Sequence, residues 1–167
     1  MPRPILLGIG SNLAAPHYAS PLATVEAALT LLPALGVTVK GRSHWYLSEP
    51  VPPSDQPWYV NGVAIVETRL APLALLTTLL ALERRLGRRR GAPNAARTLD
   101  LDLLDYQGRK MATPRLILPH PRLHERRFVL LPLAETAPGW RHPVLKQSAA
   151  ALLARVPPGQ AVRVLGD

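Results

Sequence analysis

The stretch "RTLDLDLLDY", Arg97 to Tyr106, decides the fold. Leucine and aspartate alternate through its first half, and on a β-strand side chains two apart share a face. The pattern predicts a strand with Leu99, Leu101 and Leu103 turned to a core and Asp100 and Asp102 projecting together from the other face. Asp105 falls off this alternation and is expected to be a structural residue at the strand end.

Upstream, "PILLGIG" is an apolar run, expected to be a buried strand stopped by Gly8 and Gly10. Ser20 and Pro21 read as an N-cap and first helical residue. Leu22, Val25, Leu29 and Leu32 then recur at helical spacing until Pro33 and Gly36 end the helix. "VTVKGRSHWYLSE" and "WYVNGVAIVETRL" are rich in β-branched and aromatic residues and read as strands, joined by the stiff irregular loop "EPVPPSDQP". Pro72 opens a second helix, with Leu73, Leu76, Leu80 and Glu83 near one another on adjacent turns, and Gly87 ends it. A third helix from near His124, a short helix over 148–155 and "QAVRVL" complete the chain. The order β-α-β-β-α-β is the ferredoxin-like arrangement of an α+β fold. Its helices are expected on one face of a mainly antiparallel sheet, with additional C-terminal helices and short strands, and the other face is expected to be free to carry a site. A length of 167 residues implies one domain, 1–167.

The chain has no cysteine, which excludes disulfides and thiolate metal sites and permits a cytoplasmic location. The N-terminal apolar run is too short for a signal peptide, and Leu70 to Leu82 is shorter than the roughly 20 residues a bilayer requires. Twenty Lys and Arg against eleven Asp and Glu give a net charge of +9, which attracts anions. The distribution narrows the choice: Arg84, Arg85, Arg88, Arg89, Arg90 and Arg97 precede the aspartates, and Arg115, Arg122, Arg126 and Arg127 follow them.

Two carboxylates on one strand face repel and raise each other's pKa unless a cation sits between them. With only oxygen ligands at hand the suitable ion is hard, and Mg²⁺ shares its shell readily with phosphates. Salt bridges to the arginines would explain an isolated Asp-x-Asp equally well. Arginines on both sides of a hard-metal pair are the set used for polyphosphate, so phosphoryl transfer leads as reaction class. The sequence has no P-loop, and Gly8 and Gly10 with Leu13 following make only a partial dinucleotide fingerprint, read as a turn after the first strand. His120, between two prolines, is either an exposed loop residue or a group that holds a phosphate or passes a proton. Trp45, Tyr46, Trp58, Tyr59 and Phe128 are core aromatics, or two of them clamp a flat heterocycle whose edge an amide such as Asn61 reads.

Four pieces in order, "GSNL", "DQPWYVN", "RTLDLDLLDY" and "LPHPRLHERRF" with "LLPLAE", resemble the 6-hydroxymethyl-7,8-dihydropterin pyrophosphokinases of folate biosynthesis. The resemblance implies a ferredoxin-like fold, ATP as co-substrate, and two Mg²⁺ ions on Asp100 and Asp102, with Arg88 and Arg97 joining these aspartates in the catalytic set. It implies that Tyr59 and Phe128 flank the pterin, that Asn61 bonds to it, and that the backbone around Ser48, Pro50 and Val51 meets its edge. Glu83, Arg88, Arg90, Arg97, Arg115, His120 and Arg126 fall on the nucleotide side, with Arg88 and Arg90 in a loop that closes over the substrates. The chain departs from the commoner pattern at Asn94, Ala95 and Ala96, where many members have Trp-Gly-Pro. After His120 it has Pro121, where some carry a tyrosine. The expected partners are the two small-molecule substrates, with no nucleic acid, no membrane and a monomeric chain. An RNA-binding module on the same fold would require an R-G-F-x-F-like run on its central strands, which is missing. A non-catalytic scaffold would have no use for the retained carboxylates and arginines.

Overall fold

The alternation at 97–106 is realised as a strand at one edge of a sheet. The structure, a computed structural model, describes residues 3–89, 91 and 95–166. Among these the chain runs β1 (Ile5–Ser11), α1 (Pro21–Leu31), β2 (Val37–Arg42), β3 (Tyr46–Ser48), β4 (Tyr59–Thr68), α2 (Pro72–Arg85) and β5 (Asp100–Tyr106). It continues through β6 (Met111–Ala112), β7 (Ile117–Leu118), α3 (Arg127–Thr136), α4 (Ala149–Leu153) and β8 (Val162–Val164). The main sheet has the order β5-β1-β4-β3-β8, with β2 also paired to β4, and every pairing is antiparallel.

Local chemistry accounts for the element ends. The Ser20 hydroxyl accepts the N–H of Ala23 at the start of α1, as its cap position predicts. At the far end of α2, Gly87 takes φ +85°, and the N–H of Arg88 reaches back to the carbonyl of Glu83 at 3.0 Å, which satisfies a helix-end acceptor. The strand expected over "VTVKGRSHWYLSE" is divided. At Ser43 the N–H still donates to the Val63 carbonyl at 2.9 Å, but the Val63 N–H is accepted by the Ser43 hydroxyl, and the Trp45 indole packs on Gly62, where a Cβ would lie 2.7 Å from the ring.

Alternation on β1 divides the core. Ile5, Leu7 and Ile9 face α1 and α2, where Val25, Ala28, Leu75, Leu79 and Leu82 close one cluster. The buried stripe of α2 is thus Leu75, Leu79 and Leu82, and Leu73 is exposed. Leu6 faces the other way and joins Val63, Leu104, Leu130 and Leu133 in a second cluster under α3 and α4. Helices on one face therefore describes α1 and α2, whereas α3 and α4 cover part of the face expected to be free. The uncovered remainder lies toward Gly10, Asn61 and Asp100, which pair across three neighbouring strands.

In β5 the register slips opposite Leu6 and Leu7, so Leu104 is an extra residue and Leu104 and Asp105 both turn to the second cluster. There Asp105, 1% exposed, accepts Trp140 Nε1–H at 2.8 Å and Gly108 N–H at 3.0 Å, a structural role as its position implied.

Candidate active site

The site is built on a floor without side chains. Gly8 and Gly10 share the face of Leu6 on β1; Gly10 pairs with Asn61 on one side and Asp100 on the other, and Gly8 with Val63 and Asp102. They lie within the strand, which runs on to Ser11, and do not end it as a turn. A Cβ on Gly10 would stand 2.9 Å from Asn61 Nδ2, so glycine there is what gives the amide its place.

Around this floor lies a cavity of about 430 Å³, within the usual size range for small-ligand sites. Ser48, Pro50, Val51, Tyr59, Asn61 and Phe128, all six residues expected on the pterin side, line it. The Ser48 hydroxyl donates to Asn61 Oδ1, which fixes the amide and leaves its Nδ2–H₂ as the donor end. Arg97, Asp100 and Arg126 line the same cavity, joining the aromatic wall to the charged one. The Arg126 guanidinium lies 5.5 Å from the Phe128 ring centroid and 4.0 Å from Asp102 Oδ2, so it touches both walls.

Carboxylates and guanidinium groups alternate at the charged end. Asp100 Oδ1 accepts from Arg88 at 2.9 Å and Oδ2 from Arg97 at 3.3 Å. Asp102 is pushed up to about 7, by burial first and then by Asp100 beside it, against the pull of Arg126. The Asp100 contribution is the repulsion expected of two carboxylates on one strand face. Among the described residues no three acidic, His or Cys side chains are grouped so as to hold a metal ion, which leaves this pair as the carboxylates available to one. Two carboxylates with the remaining positions left to water and phosphate suit Mg²⁺.

Glu83 lies beneath the charged wall and does not border the cavity. Its side chain is 5% exposed, and its Oε2 accepts both Arg88 Nη1–H and the backbone N–H of Leu101 at 2.7 Å. The second bond satisfies a donor on the open edge of β5. Burial pushes the Glu83 carboxyl up despite these bonds. Burial also lowers Arg88, but Glu83 and Asp100 outweigh it and leave the guanidinium above its usual value. Arg88 is thus docked between two carboxylates, its placement prepared by the helix-end turn at Gly87.

His120 does not border the cavity. Its Nδ1 accepts the N–H of Arg122 at 3.2 Å, which leaves Nε2 to carry the proton of the neutral ring. Burial and then the Arg126 charge hold its pKa down at about 4, so at neutral pH it can donate a hydrogen bond but brings no charge. Arg115 donates to Thr77 Oγ1 at 3.0 Å on the flank of α2, apart from the cavity. Arg90 and Asn94 lie outside the described residues.

Several residues escaped the sequence reading. Asn12, 1% exposed, donates from Nδ2 to Gln56 Oε1 and Pro57 O and accepts the Arg97 N–H on Oδ1 at 2.8 Å, clasping the loop before β4 to the loop before β5. Its presence in "GSNL" was the available signal. Glu49, Gln56, Glu125 and Gln160 also line the cavity, and no spacing singled them out; Arg122, one of the arginines following the aspartates, lines it too.

A ferredoxin-like sheet carrying an aromatic and amide wall beside paired carboxylates and arginines defines a class: an α+β enzyme with a site of the phosphoryl-transfer type. Residues 6–138 match the family described as 7,8-dihydro-6-hydroxymethylpterin-pyrophosphokinase. The 2-amino-4-hydroxy-6-hydroxymethyldihydropteridine pyrophosphokinase of Pseudomonas aeruginosa is 43% identical over 140 residues, covering 83% of each chain. That of Haemophilus influenzae is 42% identical over 132 residues, covering 78% of this chain and 79% of the relative. The chain belongs to this pyrophosphokinase family. The fold is shared with Plasmodium falciparum HPPK-DHPS crystallised with pteroate, at TM-score 0.70 and 12% identity. The match covers 92% of this chain and 44% of that one.

Proposed function

We propose that the chain, acting as a single domain, transfers pyrophosphate from ATP to the hydroxymethyl group of 6-hydroxymethyl-7,8-dihydropterin with Mg²⁺ on Asp100 and Asp102, releasing AMP. Family membership supports pyrophosphokinase activity in folate biosynthesis. The observation that carries the finer reading is the single cavity in which Tyr59, Phe128 and Asn61 meet Arg97, Asp100 and Arg126. A flat ring seated at the aromatic end would present its substituent to the charged end.

The hydroxymethyl oxygen bonds to the β-phosphorus and gives up its proton to solvent, the bond from that phosphorus to the α,β-bridging oxygen breaks, and AMP leaves. When bound, Mg²⁺ supplies charge neutralisation at the phosphates and makes the attacking alcohol more acidic. Asn61, held by Ser48, orients the ring by its Nδ2–H₂. Arg88 and Arg97, now on Asp100, are placed to turn to phosphate oxygens, where guanidinium forks stabilise the charge that develops. Arg126 faces the same phosphates across Asp102, and His120 donates from Nε2 as a neutral group.

Metal titration of pterin-dependent turnover tests this reading. The parent protein should saturate with Mg²⁺, and an Asp100→Asn, Asp102→Asn variant with an unchanged melting temperature should not turn over at any Mg²⁺ concentration. Equal rates in the two proteins would remove the aspartates from the chemistry.

A further inference from the structure

The last part of the described chain lies beyond the family match, which ends at residue 138, yet it reaches the cavity. From α4, anchored by Ala149 and Leu152 in the second cluster, the chain crosses to β8, which pairs with β3 in the register Tyr46↔Val164, Leu47↔Arg163, Ser48↔Val162. Strand β3 has only three residues and would otherwise be a sheet edge. Three hydrogen bonds then converge on Glu49, the residue between Ser48 and Pro50. Its N–H donates to Ala161 O at 3.1 Å, its carbonyl accepts Gln160 Nε2–H at 2.8 Å, and its carboxylate accepts the Ala161 N–H at 2.7 Å. At the other end of the same loop, Arg163 lies 5.5 Å from the ring centroid of Trp58, next to Tyr59. The tail therefore grips the loop over 49–58 at both ends, and Gln160 forms part of the cavity wall.

We propose that residues 156–165 are a strap that sets the position of the pterin-facing wall, with Gln160 and Glu49 as its positioning residues. This rests on reading the cavity as the pterin site. The strap acts on Ser48, Pro50 and Val51, and through Ser48 on Asn61, while Asp100 and Asp102 lie on β5 and Arg88 is docked on Glu83 of α2. Its effect therefore falls on pterin affinity and spares the nucleotide.

Deleting the residues after 157 is the direct test but removes a strand, so Gln160→Met, which keeps length and bulk without the donor, is measured beside it. Calorimetry with a non-hydrolysable ATP analogue and Mg²⁺, and then with 6-hydroxymethyl-7,8-dihydropterin on the protein saturated with that analogue, gives the two affinities. Gln160→Met should weaken pterin binding by about tenfold and leave the nucleotide within about twofold, at an unchanged melting temperature. Unchanged pterin affinity, or equal loss for both ligands, overturns the strap alone. A parent protein that binds no pterin overturns the reading of the cavity and the strap with it.

Discussion

Replacing Glu83 by alanine separates a buried positioning carboxylate from a ligand of the nucleotide. The substitution leaves Arg88, whose side chain is 14% exposed, without one of its two carboxylates, and strips the Leu101 N–H of its acceptor. Removing one partner of a buried pair costs about 3–5 kcal/mol. Arg88 keeps Asp100 at 2.9 Å, which sets the lower end, about 3 kcal/mol, as the relevant figure. The orphaned N–H adds about 1 kcal/mol, for a total near 4 kcal/mol. In a chain of this size each kcal/mol lowers the melting temperature by about 2–4 °C, so the shift should be about 8–16 °C. The assay is thermal unfolding of the two proteins without ligand, with ATP affinity measured in parallel. A shift below about 3 °C, together with a tenfold loss of ATP affinity, would refute the positioning role and make Glu83 a nucleotide contact.

Asp102 gives a pH dependence. Its carboxyl rises from 3.8 to about 7 on folding, so the unfolded chain gives up this proton first, and stability without metal should fall as the pH rises between these values. Asp102→Asn should flatten that slope in urea unfolding followed against pH, and a slope equal to the parent's would contradict the assignment. Trp140→Phe deletes the Nε1–H donor to the buried Asp105 and should cost about 2 kcal/mol in the same assay; a change under about 0.5 kcal/mol would show the bond to be dispensable. Gly10→Ala drives a Cβ to within 2.9 Å of Asn61 Nδ2 and should weaken pterin binding at least tenfold by calorimetry, with undiminished affinity counting against Asn61 as the pterin partner.

Features fixed by neighbours in the chain were legible in the sequence. The Ser20 cap, the Pro72 start of α2, the Gly87 stop and the faces of Asp100 and Asp102 each depend on spacings of a few residues, which a strand or helix period reads directly. What depends on residues far apart was not. Gly8 and Gly10 look like a break in an apolar run, and only their pairing with Asn61, Asp100 and Asp102 shows them as the floor of a site. The extra residue Leu104 disrupts the period of two, and the partner that explains Asp105 is Trp140, on a different part of the chain. Coverage of the second sheet face by α3 and α4 follows from tertiary packing that helical spacing does not encode. Asn12 and Gln160 are polar residues whose importance lies in bridging loops, so their signal is spatial.

Pyrophosphoryl transfer is tested most directly by incubating the protein with MgATP and 6-hydroxymethyl-7,8-dihydropterin and resolving the nucleotide products. The predicted result is AMP formed in step with pterin consumption and lost in an Asp100→Ala, Asp102→Ala variant. ADP as the product, or no nucleotide turnover with both substrates present, would contradict it.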